Sequence, residues 1–288
     1  MPETSTYVGS GKVRELYAVD DARVLLVASD RISVFDVVLP TEIPDKGRVL
    51  TGLSAFWFRR TRRVVPNHLL ELRRDGRSSV CLRLEMLPIE CVVRGYLAGS
   101  AWKEYRESGS VCGRSLPHDL READRLAEPI FTPTTKARIG HDQPLSRQQA
   151  AEHVGAELAA ELERVSLELY RFAADYAAAR GIIIGDTKFE FGIDGDGRLV
   201  LGDELFTPDS ARFWPVDEYE RGRPQPSFDK QFARDYAASL GWDKMPPGPP
   251  LPDEIVAGTR ARYIEAFERL TDLDFAEYLL DPEVVMGT

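Results

Sequence analysis

Residues 181–204 read GIIIGDTKFEFGIDGDGRLVLGDE. The stretch opens on an apolar run, then sets Asp186, Lys188 and Glu190 among bulky apolar neighbours. After Asp-Gly-Asp-Gly a second apolar run ends in Asp203 and Glu204. Asp-Gly turns between such runs mark a β-hairpin. A two-residue loop at Gly195 and Asp196 pairs Asp194 with Gly197, which sets Lys188 opposite Asp203 and Glu190 opposite Leu201. Side chains alternate along a strand, so Asp186, Lys188, Glu190 and Asp203 share one face. Phe189, Phe191 and Gly202 take the other, which can pack on a helix. A four-residue loop keeps this register, whereas a three-residue loop slips it by one and breaks the shared face.

Two readings of the charged face follow. It is the solvent side of an antiparallel sheet, with Lys188 and Asp203 as a cross-strand pair. Or its carboxylates hold Mg²⁺, which takes a few carboxylates plus phosphate oxygens, with the lysine on the phosphates, as ATP chemistry requires. The hairpin by itself leaves both open.

The helix for the apolar face comes just before. Ser146 and Gln149 form a capping box, and Val154, Leu158, Leu162, Val165, Leu169, Phe172 and Tyr176 follow at helical spacing. Gly155 is placed to split this stretch into two helices, and Gly181 ends it. Upstream, residues 1–90 look β-rich, with a hairpin turn at DDA (20–22), a loop at PDKGRVL (44–50) and a helix over 50–65 burying Leu53, Phe56 and Trp57. GSAWKEYRESG (99–109) reads as a short helix with Ser100 as N-cap and Gly109 as stop. Residues 110–145 form a long irregular segment, and a last amphipathic helix begins near Asp253 after a Pro-rich connector at 244–252.

Bulk properties narrow the function. The 288 residues carry 37 Lys and Arg against 47 Asp and Glu, a net charge of −10. That disfavours a broad nucleic-acid or anionic-membrane surface, which needs a basic face, but permits a small anion pocket. The three cysteines, Cys81, Cys91 and Cys112, have neither disulfide nor zinc spacing. The N-terminus lacks leader character and no run is long enough to span a membrane. The expectation is a reduced, cytoplasmic protein.

Two segments suit phosphate. YVGSGKVRELY (7–17) is a glycine-rich strand–turn–strand whose backbone amides and Lys12 can approach phosphate. It is not a Walker A loop, since Val13 stands where Ser or Thr belongs. VVRGYLAGSAWKEY (92–105) puts Arg94 at a strand end and Ser100 at a helix N-terminus, where anions bind. Arg212 follows shortly after the acidic pair.

Taken together, these segments resemble the phosphoribosylaminoimidazole-succinocarboxamide synthase (SAICAR synthetase) family. The matching stretches, in order, are GKVRELY (11–17), SDRISVFD (29–36), IPDKGRVLTGLSAFWF (43–58), ECVVRGYLAGSAWKEY (90–105), FTPTTKA (131–137), GHD (140–142), RGIIIGDTKFEFG (180–192), GDELFTPDSARFWP (202–215) and PSFDKQFARDY (226–236). Gly185 departs from the Ala more usual before the aspartate.

The resemblance implies an α+β fold of two lobes, kinase- or ATP-grasp-like: an antiparallel lobe over residues 1–87 covering ATP, and a larger lobe over 88–288 with the metal and substrate sites. It implies a ligase that condenses carboxyaminoimidazole ribonucleotide (CAIR) with L-aspartate at the expense of ATP and Mg²⁺. Its partners are these small molecules, without nucleic acid or membrane, in a monomer or homodimer. By similarity, Gly11, Lys12 and Arg14 hold ATP phosphates, and residues 85–87 (Glu85, Met86 and Leu87) form a hinge that reads adenine. Glu190 and Asp203 bind Mg²⁺ beside Lys188. Arg94, Ser100 and Arg212 take the ribonucleotide phosphate. Ser33, Asp36, Lys136, His141, Asp142 and Lys230 face the imidazole substrate or aspartate. The alternatives are another ATP-dependent kinase or ligase, or a nucleotide-binding regulatory module of the same fold.

Overall fold

The computed structural model describes residues 5–136 and 142–287. Its first half is built by short alternating strands: β1 (Thr6–Ser10), β2 (Arg14–Ala18), β3 (Arg23–Ala28), β4 (Arg31–Val34) and β5 (Val37–Glu42). Helix α1 (Lys46–Thr61) and strands β6 (Leu69–Leu72), β7 (Ser78–Leu82), β8 (Glu85–Met86) and β9 (Ile89–Tyr96) follow. Strands β1, β2, β3, β7 and β6 form one antiparallel sheet in that order, and β4 pairs with β5.

The second half contains α2 (Gly99–Ser108), β10 (Ser110–Val111), β11 (Arg114–Ser115), β12 (Arg125–Phe131), β13 (Thr134–Thr135), α3 (Arg147–Val154) and α4 (Ala156–Ala178). Then come β14 (Ile182–Ile193), β15 (Leu199–Gly202), β16 (Ala211–Pro215), α5 (Gln231–Ser239), α6 (Asp253–Thr271) and α7 (Phe275–Leu280). A seven-stranded sheet runs β12, β9, β14, β15, with β13 on β9 and both β8 and β16 on β14. The mixed α+β fold with antiparallel sheets is the expected one. Among the described residues, no helix is long and apolar enough to cross a membrane.

Helix α4 packs on the back of this sheet. Ser146 and Gln149 make the reciprocal capping box, and Gly155, at φ 88°, separates α3 from α4. The buried stripe is Leu162, Val165, Leu169, Tyr170, Ala173 and Ala177. It meets Phe189 and Phe191, which are shut from solvent on the apolar face of β14. Phe172 departs from expectation at 40% exposed: from Leu169 the stripe continues through Ala173, four residues on, and leaves Phe172 on its shoulder. A sheet with one face apolar against a helix is free to put charge on the other.

Three local readings need correction. PDKGRVL is not a loop, because α1 begins at Lys46. The start is fixed from a distance: the Asp30 carboxylate accepts from the Gly47 amide at 2.9 Å, and buried Lys46 pairs with Asp209 at 2.8 Å. Ser100 is not the N-cap of α2, since Ala98 occupies that position and caps without its side chain. Residues 110–145 are less irregular than expected, for they contribute β12 and β13 to the large sheet. Gly109 does stop α2, in the left-handed conformation.

Candidate active site

Strands β9 and β14 pair with Arg94 opposite Asp186, Val92 opposite Lys188 and Cys91 opposite Phe189. Alternation from this register puts Glu90, Arg94, Asp186, Lys188 and Glu190 on the face away from α4. Lys188 sits at its centre, donating to Glu90 at 2.6 Å and to Glu190 at 3.0 Å. Lys136 closes on the other oxygen of Glu190. Burial pulls the Lys188 ammonium down, but Glu190, Glu90 and Asp203 outweigh it and hold the pKa above the usual lysine range. Glu90 moves the other way for a carboxylate: burial raises it, and Glu190 and Asp142 add to the rise against Lys188.

One step along the same strands lies a cationic corner. The Arg94 guanidinium donates to Asp186 at 2.8 Å, to Thr132 Oγ1 at 2.9 Å and to Ser100 Oγ at 3.2 Å. Arg212 pairs with the same Asp186 oxygen. Burial raises the Asp186 pKa, but the two guanidiniums reverse it and hold the carboxyl below its usual range. Burial lowers that of Arg94, with Asp186 opposing. Gly99 opens α2 at φ +60°, and a Cβ there would lie 2.4 Å from Arg212 Nη2. The glycine admits the arginine to the helix N-terminus. Gly185 has a packing reason too, since a Cβ would lie 2.8 Å from the Trp214 ring.

The hairpin differs from expectation in its turn. Asp194 pairs with Arg198 around a three-residue loop, with Gly197 at φ +80°. The ladder is slipped by one: Glu190 faces Gly202 and Phe191 faces Leu201. The Asp194 carboxylate selects this turn by accepting from the amides of Asp196 and Arg198 at 3.0 and 2.9 Å. Strict alternation would then send Asp203 to the back with Phe189. It does not, because β15 ends at Gly202 and Asp203 is left-handed, at φ 55°. Its carboxylate meets Arg14 and feels Lys188 and Lys136. Burial pushes its pKa up, and these cations bring it below the usual range. Arg14 spans the acidic pair, reaching Glu204 at 2.8 Å.

His68 supports Asp203 from below, hydrogen-bonded to its backbone and packed edge-on against Phe58 at 5.3 Å. Burial pushes its pKa from 6.5 down to about 4. A base held neutral this way contributes stability that is complete above pH 6.5 and lost as pH falls from 6.5 towards 4. The loss has an upper bound of roughly 3–4 kcal/mol. His68→Gln is expected to flatten the stability curve across that window, as read by denaturant unfolding at several pH values. An unchanged slope would contradict the buried neutral imidazole.

The other expected residues are distributed as follows. Lys12, beyond the glycine-rich turn, pairs with Asp36, which with Phe35 forms the left-handed turn between β4 and β5; Ser33 is buried on β4 beside it. Gly11 closes its turn on Arg14 at 2.8 Å. Glu85 and Met86 pair with the far end of β14, and the Leu87 amide donates to Phe191 at 2.9 Å. Lys136 and Asp142 are brought to Glu190 and Glu90 respectively. Lys230 precedes α5, half-buried, where burial lowers its pKa and Asp209 opposes. His141 lies outside the described residues. Glu90 is the residue that sequence reading missed. Its signal was available, since it stands four residues before Arg94 on one strand and so on the same face.

The family profile described as SAICAR synthetase matches residues 7–249. A phosphoribosylaminoimidazole-succinocarboxamide synthase of Saccharopolyspora erythraea is 57% identical over 285 residues, covering 94% of this chain and 95% of that relative. Among solved structures, a SAICAR synthase from Saccharomyces cerevisiae complexed with SAICAR superposes with a TM-score of 0.87 at 41% identity, over 95% of this chain and 97% of that one. A SAICAR synthetase in complex with ADP gives 0.72 at 26% identity, over 93% and 98%. The chain belongs to the SAICAR synthetase family.

Proposed function

We propose that this chain joins the carboxylate of CAIR to the amine of L-aspartate, converting ATP to ADP and phosphate and releasing SAICAR, a step of purine biosynthesis. One observation carries the reading at this site. A lysine flanked by carboxylates and a two-arginine corner with Arg94 buried lie side by side on one rigid strand face. The first suits the triphosphate and the reacting carboxylate, the second a ribose phosphate. Family membership and the ADP- and SAICAR-bound relatives support the same substrates.

The chemistry needs activation, because a carboxylate has no good leaving group. Phosphoryl transfer from ATP to the CAIR carboxylate forms an acyl phosphate and frees ADP. The neutral aspartate amine then attacks that carbon, and phosphate leaves with one of the former carboxylate oxygens. Lys188 and Lys136 neutralise charge as it moves. The N-terminal lobe, described from residue 5 to 87, covers the nucleotide, with Gly11, Lys12 and Arg14 beside its phosphates and the backbone of residues 85–87 against adenine. Arg94, Ser100 and Arg212 hold the ribonucleotide phosphate, with the α2 N-terminus behind them. Ser33, Asp36, Asp142 and Lys230 face the remaining substrate groups. Cytoplasmic purine synthesis fits these substrates.

Mg²⁺ fits the donor set. Among the described residues no three acidic, His or Cys side chains form a cage on their own. Magnesium takes few carboxylates and completes its shell with phosphate and water. Glu190 and Asp203 would hold it, and the ion would neutralise the phosphate oxygens. CAIR labelled with ¹⁸O in its carboxylate should deliver one label to inorganic phosphate for each SAICAR formed, read by mass spectrometry. Unlabelled phosphate would rule out carboxylate activation.

A further inference from the structure

We infer that Tyr170 is a positioning residue that acts from behind the sheet. Its hydroxyl sets the spacing of the strands carrying Arg94 and Asp186, and through them the affinity for the ribonucleotide phosphate. The inference rests on the proposed role of Arg94.

The ladder between β9 and β14 runs from Cys91 and Phe189 to Arg94 and Asp186 and stops there. Just beyond its last pair, Tyr170 rises from α4 with 3% of its surface exposed. Its hydroxyl donates to the Ile184 carbonyl at 2.5 Å, and the Gly95 amide is directed at the Tyr170 hydroxyl oxygen. Ile184 lies two residues before Asp186, and Gly95 directly follows Arg94. One phenol oxygen therefore ties the two strands together where their pairing ends. Gly95 is what admits it, for a Cβ there would stand 1.9 Å from that oxygen.

On the front, the strands are tied at this point by the Arg94–Asp186 pair. A bound phosphate competes for that guanidinium, so the front tie weakens when ligand arrives. The tie behind does not face the ligand and keeps the guanidinium in place. Without the hydroxyl, a buried carbonyl and amide lose their partner, a state that proteins avoid by shifting backbone. The shift falls on the neighbours of Arg94 and Asp186. Lys188 is held further along by the intact ladder with β9, and Glu190 by its pairing with Gly202 on β15, so neither should be displaced.

Tyr170→Phe tests this by steady-state kinetics with each substrate varied in turn. The KM for the ribonucleotide should rise about tenfold, with kcat and the KM values for ATP and aspartate within twofold of wild type. Gly95→Ala should give the same pattern, because it evicts the hydroxyl while the ring can retreat into the adjoining cavity of about 320 Å³ between α4 and β12. If only one variant folds, it decides alone. A ribonucleotide KM within twofold of wild type overturns the inference, as does an equal loss across all three substrates. Arg94→Ala is measured in parallel. If it leaves the ribonucleotide KM unchanged, the assignment of the corner fails first; if it raises that KM and Tyr170→Phe does not, only the role of Tyr170 falls.

Discussion

Lys188→Met is expected to lower kcat by about a hundred- to a thousandfold while the protein stays folded. Among the described residues the lysine is the one cation that contacts both Glu90 and Glu190 directly, and Asp203 adds to the field on it. Its pKa is held high, so it carries full charge throughout the physiological range and serves as a fixed positive group, not as a base. Methionine keeps the packing of the stem and removes only that charge. Glu90, already raised by burial, loses its lysine partner and is pushed further towards its neutral form. Neutralisation in this way keeps the fold from bearing an unpaired buried charge, so circular dichroism should match wild type. Activity within tenfold of wild type would remove Lys188 from the centre of the chemistry.

Asp203→Asn should cost about as much in turnover and, in addition, move the Mg²⁺ dependence to higher concentration. The amide keeps one oxygen but loses the charge that a hard cation selects. Stability should change little, because Arg14 retains Glu204 at 2.8 Å. Titrating activity against Mg²⁺ separates the two effects: a lower plateau reports chemistry, and a displaced midpoint reports metal affinity. An Asp203→Asn enzyme with a wild-type plateau and midpoint would contradict the assignment of this carboxylate.

Local patterns gave the helices behind the sheet almost intact. The capping box at Ser146, the break at Gly155 and the start near Asp253 each depend on residues within one turn of the event. What escaped depends on groups far apart in the chain. Helix α1 starts at Lys46 because Asp30 accepts from the Gly47 amide 17 residues on and Asp209 pairs with Lys46 across 163 residues, so PDKGRVL looked like a loop by itself. The turn after Asp194 fits loops of two, three or four residues by composition, and the Asp194 carboxylate selects the three-residue one.

That slip of one residue tests how far periodicity can be trusted at a site. The charged residues still meet although the expected register did not hold, because Asp203 leaves the strand in a left-handed conformation, whereas Gly202 moves from the expected back face to lie opposite Glu190. A bulky or charged residue adopts that conformation at some cost, and such residues gather where function over-determines the backbone. Phe35 and Asp36 do the same at the turn facing Lys12. The Arg94, Ser100 and Arg212 grouping came through, with Ser100 in the first turn of α2 as expected, although not as its N-cap; its hydroxyl accepts from Arg94 instead.

The central claim is that one strand face activates a carboxylate with ATP and presents it to an amine. Incubating the protein with ATP, Mg²⁺, L-aspartate and CAIR, and following ADP and SAICAR together, tests it most directly. The account predicts SAICAR and ADP in equal amounts, with both products abolished when the ribonucleotide is omitted and SAICAR abolished when aspartate is omitted. Sustained ADP release that is indifferent to both substrates, with no SAICAR formed, would contradict it.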